Sequence, residues 1–102
     1  MILITGSNRG LGKSIANRLI NNGEKVIGLS RSKESAEIET IECDVSDYSS
    51  VKQASREVKK MKTPIKALIN VAGIASMNLA VTTDELTVQK LIQTNLVGTI
   101  YC

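Results

Sequence analysis

The stretch Thr5-Gly6-Ser7-Asn8-Arg9-Gly10-Leu11-Gly12, set directly after the apolar run Met1-Ile2-Leu3-Ile4, constrains this chain more than any other part of it. It reads as a short buried strand that turns on glycines into the start of a helix. Such a turn aims unpaired backbone N–H groups and the positive end of a helix dipole at one point, which makes an anion site. Gly6 serves the tight exit from the strand, Gly10 a close approach of backbone to a pyrophosphate, and Gly12 the packing of helix on sheet. A glycine-rich turn without a ligand is the alternative. The strand before and the amphipathic helix after favour a phosphate-bearing ligand.

Strand and helix patterns alternate along the rest of the chain. Residues 1–5 predict a strand and 10–22 a helix, whose stripe is Leu11, Ile15, Ala16, Leu19 and Ile20. Asn22-Gly23 stops that helix with a left-handed residue. Strands are expected over 25–29, 38–43 and 67–71. A helix over about 47–61 buries Val51, Ala54, Val58 and Met61, and Pro64 follows as a breaker. A last helix starts near Thr83, where Thr82 and Glu85 have capping-box spacing, with a stripe through Val88, Leu91, Ile92, Asn95 and Thr99.

Strands separated by helices imply parallel pairing through right-handed crossovers: an α/β fold with a doubly wound parallel sheet ordered 3-2-1-4. The link over 30–37 is short for a parallel crossover, so a brief helical turn at most is expected there.

With 102 residues, 42% hydrophobic and 23% charged, the chain has room for one domain. Phe and Trp are absent, so the core must come from Ile, Leu, Val and Ala, which suits a covered parallel sheet. No apolar run approaches the ~20 residues that span a bilayer, and no signal-type segment opens the chain, so a cytoplasmic protein without a membrane partner is expected. Cys43 and Cys102 lie far apart, without a CxxC and without any histidine, which leaves no support for a metal site or for a Ser-His or Cys-His pair. A net charge of +3 does not call for nucleic acid. The Lys59, Lys60, Lys62 and Lys66 cluster is better read as cations near a helix end, with no aromatics interleaved to stack bases.

Other candidate residues follow the carboxyl ends of the strands, where ligands of open α/β sheets bind. Ser30 and Arg31 stand after the second strand with no acidic neighbour, where an acid selects NAD and an arginine accommodates the extra phosphate of NADP. Arg9 approaches the same phosphate from the glycine turn. Asp44-Val45 ends the third strand and offers a carboxylate to an adenine amino group, with a helix cap as the plainer role. Asn70-Val71-Ala72-Gly73 ends the fourth. Asn95 sits on a helix face expected to be buried, so its amide needs a partner: a neighbouring loop, or a water feeding a site. Ser7-Asn8-Arg9-Gly10-Leu11-Gly12-Lys13-Ser14 also ends like a nucleoside-triphosphate P-loop, but Ser7 stands where that motif wants glycine.

Together these residues resemble the amino-terminal half of a classical short-chain dehydrogenase/reductase. Thr5-Gly6-x-x-x-Gly10-x-Gly12 matches its cofactor motif and Asp44-Val45 its adenine-contacting pair. Asn70-x-Ala72-Gly73 matches its Asn-Asn-Ala-Gly element with Val71 for the second Asn. Asn95-Leu96-Val97-Gly98 matches the segment whose Asn belongs to the catalytic tetrad. The resemblance implies a Rossmann-like fold and hydride transfer between NADP(H), favoured over NAD(H), and a small carbonyl or alcohol substrate. It implies cofactor contacts from Gly6, Ser7, Asn8, Arg9, Gly10, Leu11, Gly12, Ser30, Arg31, Asp44, Val45, Asn70, Ala72 and Gly73, with Asn95 catalytic.

The family's Ser and Tyr-x-x-x-Lys do not follow within these residues. Tyr48 and Lys52 match the spacing but lie on a helix away from the nicotinamide. The expectation is therefore a dinucleotide-binding domain over 1–102 that stops before the catalytic half, inactive alone, with apolar surface and the fourth strand's edge exposed. The longer parent is expected to be homo-oligomeric. A non-catalytic dinucleotide-binding module and a P-loop NTPase are the competing readings.

Overall fold

The computed structural model describes residues 1–33, 38–76 and 80–102. Four strands, β1 (Ile2–Thr5), β2 (Val26–Ser30), β3 (Thr40–Glu42) and β4 (Ala67–Asn70), form one sheet in the order β3-β2-β1-β4. Every pairing is parallel, with Ile4 opposite Gly28 on one side and Ile69 on the other. This is the Rossmann-like order that the alternating pattern predicts, and it holds in spite of the short β2–β3 link. The helical turn weighed for that link falls on residues 34–37, outside the described residues.

Strands β1 and β2 are buried on both faces of the sheet, since successive side chains of a strand point to opposite sides. Ile2, Ile4 and Val26 meet Ala16, Ile15 and Leu19 of α1 (Gly10–Asn21) on one face. Leu3, Ile27, Leu29, Ile41 and Cys43 meet Ala54 and Val58 of α2 (Tyr48–Lys60) on the other, with Val51 and Met61 packed beside them. The expected stripe of α2 is thus confirmed in full. That of α1 is confirmed only for its middle, since Leu11 is 67% and Ile20 40% exposed. Gly23, at a φ of 85°, ends α1 as its left-handed stop.

The last helical segment departs most from expectation. A short 3-10 turn, Ala80–Thr82, precedes α3 (Glu85–Ile92). Asp84 and not Thr82 caps α3, its carboxylate accepting the Thr87 N–H at 2.8 Å. Both types cap well, but Asp84 is in place to meet the third amide of the helix. The helix then widens into a π-helical turn, Gln93–Val97, and resumes as α4 (Gly98–Tyr101). Its apolar face is not buried: Val88, Ile92, Leu96 and Ile100 are all exposed. β4 is likewise an exposed edge strand at Ala67, Leu68 and Asn70. No helix among the described residues is long and apolar enough to cross a membrane.

Candidate functional site

The carboxyl ends of the four strands open onto one cleft of about 650 Å³. Its first wall is the glycine turn. Gly6 leaves β1 at a φ of 69°, and a β-carbon there would stand 2.8 Å from Ala72 Cα. At Gly12 a β-carbon would stand 2.1 Å from the Gly6 carbonyl oxygen. Gly10, at a φ of 57°, has nothing within 4 Å of that position and faces open space. Gly6 thus serves the tight exit expected of it, Gly12 is forced by contact with the turn itself and not with the sheet, and Gly10 is left open.

The start of α1 stands out among the helix starts. Asp47 caps α2 by accepting the Ser49 N–H at 3.0 Å, and Asp84 caps α3. At α1 the cap position holds Arg9, which makes no side-chain capping bond, and the first turn carries no acid. Amides and dipole at this end are thus left to the cleft, the arrangement that draws an anion.

The second wall follows β2 and β3. Ser30, Arg31 and Ser32 line the cleft, and Arg31 and Arg9 are both exposed at its mouth. Asp44 and Val45 line it as expected. The plainer role of helix cap falls to Asp47 and not to Asp44, whose Oδ1 instead closes a local turn ahead of α2, accepting from Ser46 N–H at 2.9 Å and from Ser46 Oγ at 2.6 Å. Cys43 lies 2% exposed at the same wall, and burial, followed by nearby Cys102 and Asp44, pushes its thiol up to about 11. It is a neutral apolar wall at ordinary pH and not a nucleophile.

The third wall is the turn after β4. Thr5 Oγ1, 1% exposed, accepts from the N–H groups of Val71 at 3.0 Å and Ala72 at 3.1 Å, which ties this turn to β1. Asn95 then holds the turn from the far side through the backbone of Ile74. Gly98 lies against Val45, where a β-carbon would meet Val45 Cγ2 and its carbonyl oxygen at 2.9 Å. The Asn-x-x-Gly spacing thus clamps two loops of the cleft at once, across a π-helical turn of a kind frequent at functional sites.

Of the residues the sequence singles out, Gly6, Asn8, Arg9, Gly10, Leu11, Gly12, Ser30, Arg31, Asp44, Val45, Ala72 and Gly73 line this cleft. Leu11, placed both on the core stripe of α1 and among the cofactor contacts, lies in the first turn of the helix, exposed and lining the cleft. Three residues fall outside the lining. Ser7 is 2% exposed and packed over Gly28, so only its backbone is left to offer. Asn70 is exposed at the end of β4, opposite Thr5. Asn95 is exposed too, not buried as its helical position suggests, and a neighbouring loop satisfies its amide. Leu29, Ser32, Cys43, Ser46, Val71, Ile74 and Thr94 line the cleft without having been singled out as ligand contacts. Their only sequence signal is position, next to a strand's carboxyl end or beside Asn95. Tyr48 is 57% exposed and edge-on to Tyr101, with ring centres 5.2 Å apart, and neither ring lines the cleft.

A family model described as short chain dehydrogenase matches residues 1–102. The chain is 34% identical over 98 residues to the 3-oxoacyl-(acyl-carrier-protein) reductase MabA of Mycobacterium tuberculosis, covering 95% of this chain and 40% of that protein. Among solved structures it resembles the ligand-free aldohexose dehydrogenase AldT of Thermoplasma acidophilum, with a TM-score of 0.89, 34% identity, and coverage of 98% of this chain and 40% of that one. It also resembles ElxO solved with NADP bound, at a TM-score of 0.87 and 30% identity, covering 99% of this chain and 46% of that one. The chain spans less than half the length of each of these relatives.

Proposed function

The chain belongs to the short-chain dehydrogenase family, and on that premise we propose that its 102 residues form the dinucleotide-binding unit of an NADP(H)-dependent oxidoreductase. The observation that carries this reading is the uncapped start of α1, facing a cleft beside an unobstructed Gly10. The residues fit a dinucleotide. The amides from Gly6 to Gly12 would hold its diphosphate, with the backbone of Ser7 contributing. Asp44 and Val45 would meet the adenine, where one Asp44 oxygen is already held by Ser46. Ala72, Gly73 and the end of β4 at Asn70 would border the ribose next to the nicotinamide. Arg9, Ser30 and Arg31 would bind the 2′-phosphate that distinguishes NADP from NAD, since two guanidinium groups at the mouth suit a phosphate dianion. ElxO's bound NADP supports the same choice.

When bound, the cofactor supplies or accepts a hydride. The residues present bind and orient it, and Asn95 acts by fixing the turn at Ile74 that forms one side of the cleft. A carbonyl or alcohol would be the substrate of the whole protein, in line with reductases and dehydrogenases among the relatives. The single Tyr-x-x-x-Lys here, Tyr48 to Lys52, lies on α2 outside the cleft, so these 102 residues are proposed to bind without turnover. The free cysteines Cys43 and Cys102 suit a reducing, cytoplasmic setting. The exposed apolar residues of α3 and α4 suit a homo-oligomeric parent.

Calorimetric titration with NADPH and NADH tests the proposal. NADPH is expected to bind about tenfold more tightly, a difference of roughly 1.4 kcal/mol, and Arg31→Ala to remove most of that advantage. Equal affinities would overturn the assignment of Arg9 and Arg31. Magnesium-dependent ATP binding abolished by Lys13→Ala would restore the P-loop reading.

A further inference from the structure

We infer that Asn8 is a positioning residue for cofactor selectivity: its side-chain amide ties the glycine turn to the segment after β2 and so sets Arg31 at the cleft mouth before a ligand arrives. The inference rests on the proposed 2′-phosphate site and adds to it a residue that need not touch the phosphate.

Asn8 Nδ2 donates to the backbone carbonyl of Ser32, twenty-four positions further along the chain. That carbonyl belongs to the residue directly after Arg31, so the bond restrains the backbone from which the arginine projects. Asn8 is itself firmly mounted. Its neighbour Ser7 is 2% exposed and fills the space over Gly28, where a β-carbon would stand 2.1 Å from Ser7 Oγ. Gly28 lies in the middle of β2, paired with Ile4 on one side and Thr40 on the other. The brace therefore runs from a fixed point of the sheet, through Ser7 and Asn8, to the segment after β2. Asn8, Arg9, Arg31 and Ser32 all line the same cleft.

The other end of the amide argues against a purely structural role. Among the described residues, Asn8 Oδ1 is buried with no hydrogen-bond partner. An unpaired buried acceptor costs stability, and a side chain kept only for stability would not retain it. A donor at Nδ2 with the shape of an amide is what the Ser32 carbonyl requires. Preorganising a charged side chain in this way raises affinity by removing the cost of ordering it on binding.

Two readouts test this. In the protein without ligand, tryptic cleavage of the Arg31–Ser32 bond, followed by mass spectrometry, is expected to run at least about fivefold faster in Asn8→Ala and Asn8→Asp than in the parent. The aspartate keeps the shape but cannot donate to a carbonyl, so parent-like cleavage in Asn8→Asp would overturn the brace. In the second readout, the ratio of NADH to NADPH dissociation constants is expected to shrink about fivefold in Asn8→Ala. The same change made on top of Arg31→Ala is expected to leave the ratio unaltered, as two residues acting as one unit require. Equal weakening of both cofactors, or an additive double variant, would overturn the inference while leaving the phosphate site intact. A parent protein that binds both cofactors equally would overturn the functional reading and this inference with it, and the cleavage result would then stand as a structural fact alone. Unaltered circular dichroism of each variant confirms that folding is not what changed.

Discussion

The side-chain amide of Asn95 closes a two-point ring with the backbone of Ile74: Oδ1 accepts the Ile74 N–H at 2.8 Å, and Nδ2 donates to the Ile74 carbonyl at 2.8 Å. A side-chain amide carries a donor and an acceptor on two separate atoms, in the geometry that a backbone amide and carbonyl present. Asn95 lies in the π-helical turn, and Gly73 approaches so closely that a β-carbon there would be 3.3 Å from Asn95 Oδ1. The relationship joins the last helical segment to the turn after β4.

Asn95→Ala removes both bonds at an exposed site, so a loss of about 1–2 kcal/mol is expected. Urea unfolding measures it. Hydrogen exchange at the Ile74 amide should quicken at the same time. An unchanged midpoint with unchanged exchange would show that the ring is not formed in solution.

Thr5→Val keeps the shape and the burial of residue 5 but deprives the Val71 and Ala72 amides of their acceptor. A loss of about 2–3 kcal/mol is expected, from two donors left unpaired. Thr5→Ser, which keeps the hydroxyl, should recover most of it. If the serine variant is as unstable as the valine variant, packing and not hydrogen bonding governs this position.

Gly12→Ala places a methyl 2.1 Å from the Gly6 carbonyl oxygen, within the backbone of the same turn. The favourable helix propensity of alanine, about 1 kcal/mol, cannot offset a clash with main chain that has nowhere to move. The expected result is a fall in melting temperature together with loss of dinucleotide binding. Gly10→Ala meets no atom within 4 Å, so only its φ of 57° opposes it, and the milder outcome should be visible in the same melt.

Cys43 links stability to alkaline pH. Its folded value of about 11 lies above the 9.0 of an unperturbed thiol, because burial, then nearby Cys102 and Asp44, disfavour the thiolate. Below pH 9 folded and unfolded chains both hold the proton, and the contribution is complete. Between 9 and 11 the unfolded chain releases its proton first, so stability falls as pH rises. Urea midpoints at several pH values in this window should fall less steeply in Cys43→Ala. Some slope should remain, since burial raises Cys102 as well. Identical slopes in the two proteins would place the titrating group elsewhere.

Local pattern and long-range partnership separate cleanly in this chain. The order of strands and helices, the core stripe of α2, the left-handed stop at Gly23 and the tight exit from β1 at Gly6 were all readable from residue spacing. Each depends on backbone geometry over one or two turns, or on the alternation of one strand, and sequence carries that information directly. The arginines at positions 9 and 31 were likewise legible as a pair, because the topology of a doubly wound sheet sends both to one edge.

Partners brought together from distant parts of the chain were not legible. That Thr5 secures the turn after β4, that Asn8 reaches Ser32, and that Asn95 holds Ile74 are decided by which loops the folded sheet sets side by side. Periodicity put Asn95 on a buried face and Leu11 in the core. The structure leaves both exposed, because burial depends on a second surface being present and not on the helix alone. Sequence thus determined which elements form and at which edge of the sheet the candidate residues gather. Tertiary structure decided which polar atoms are already taken and which remain for a ligand, since hydrogen bonds are satisfied by proximity in space, over separations that no local repeat encodes.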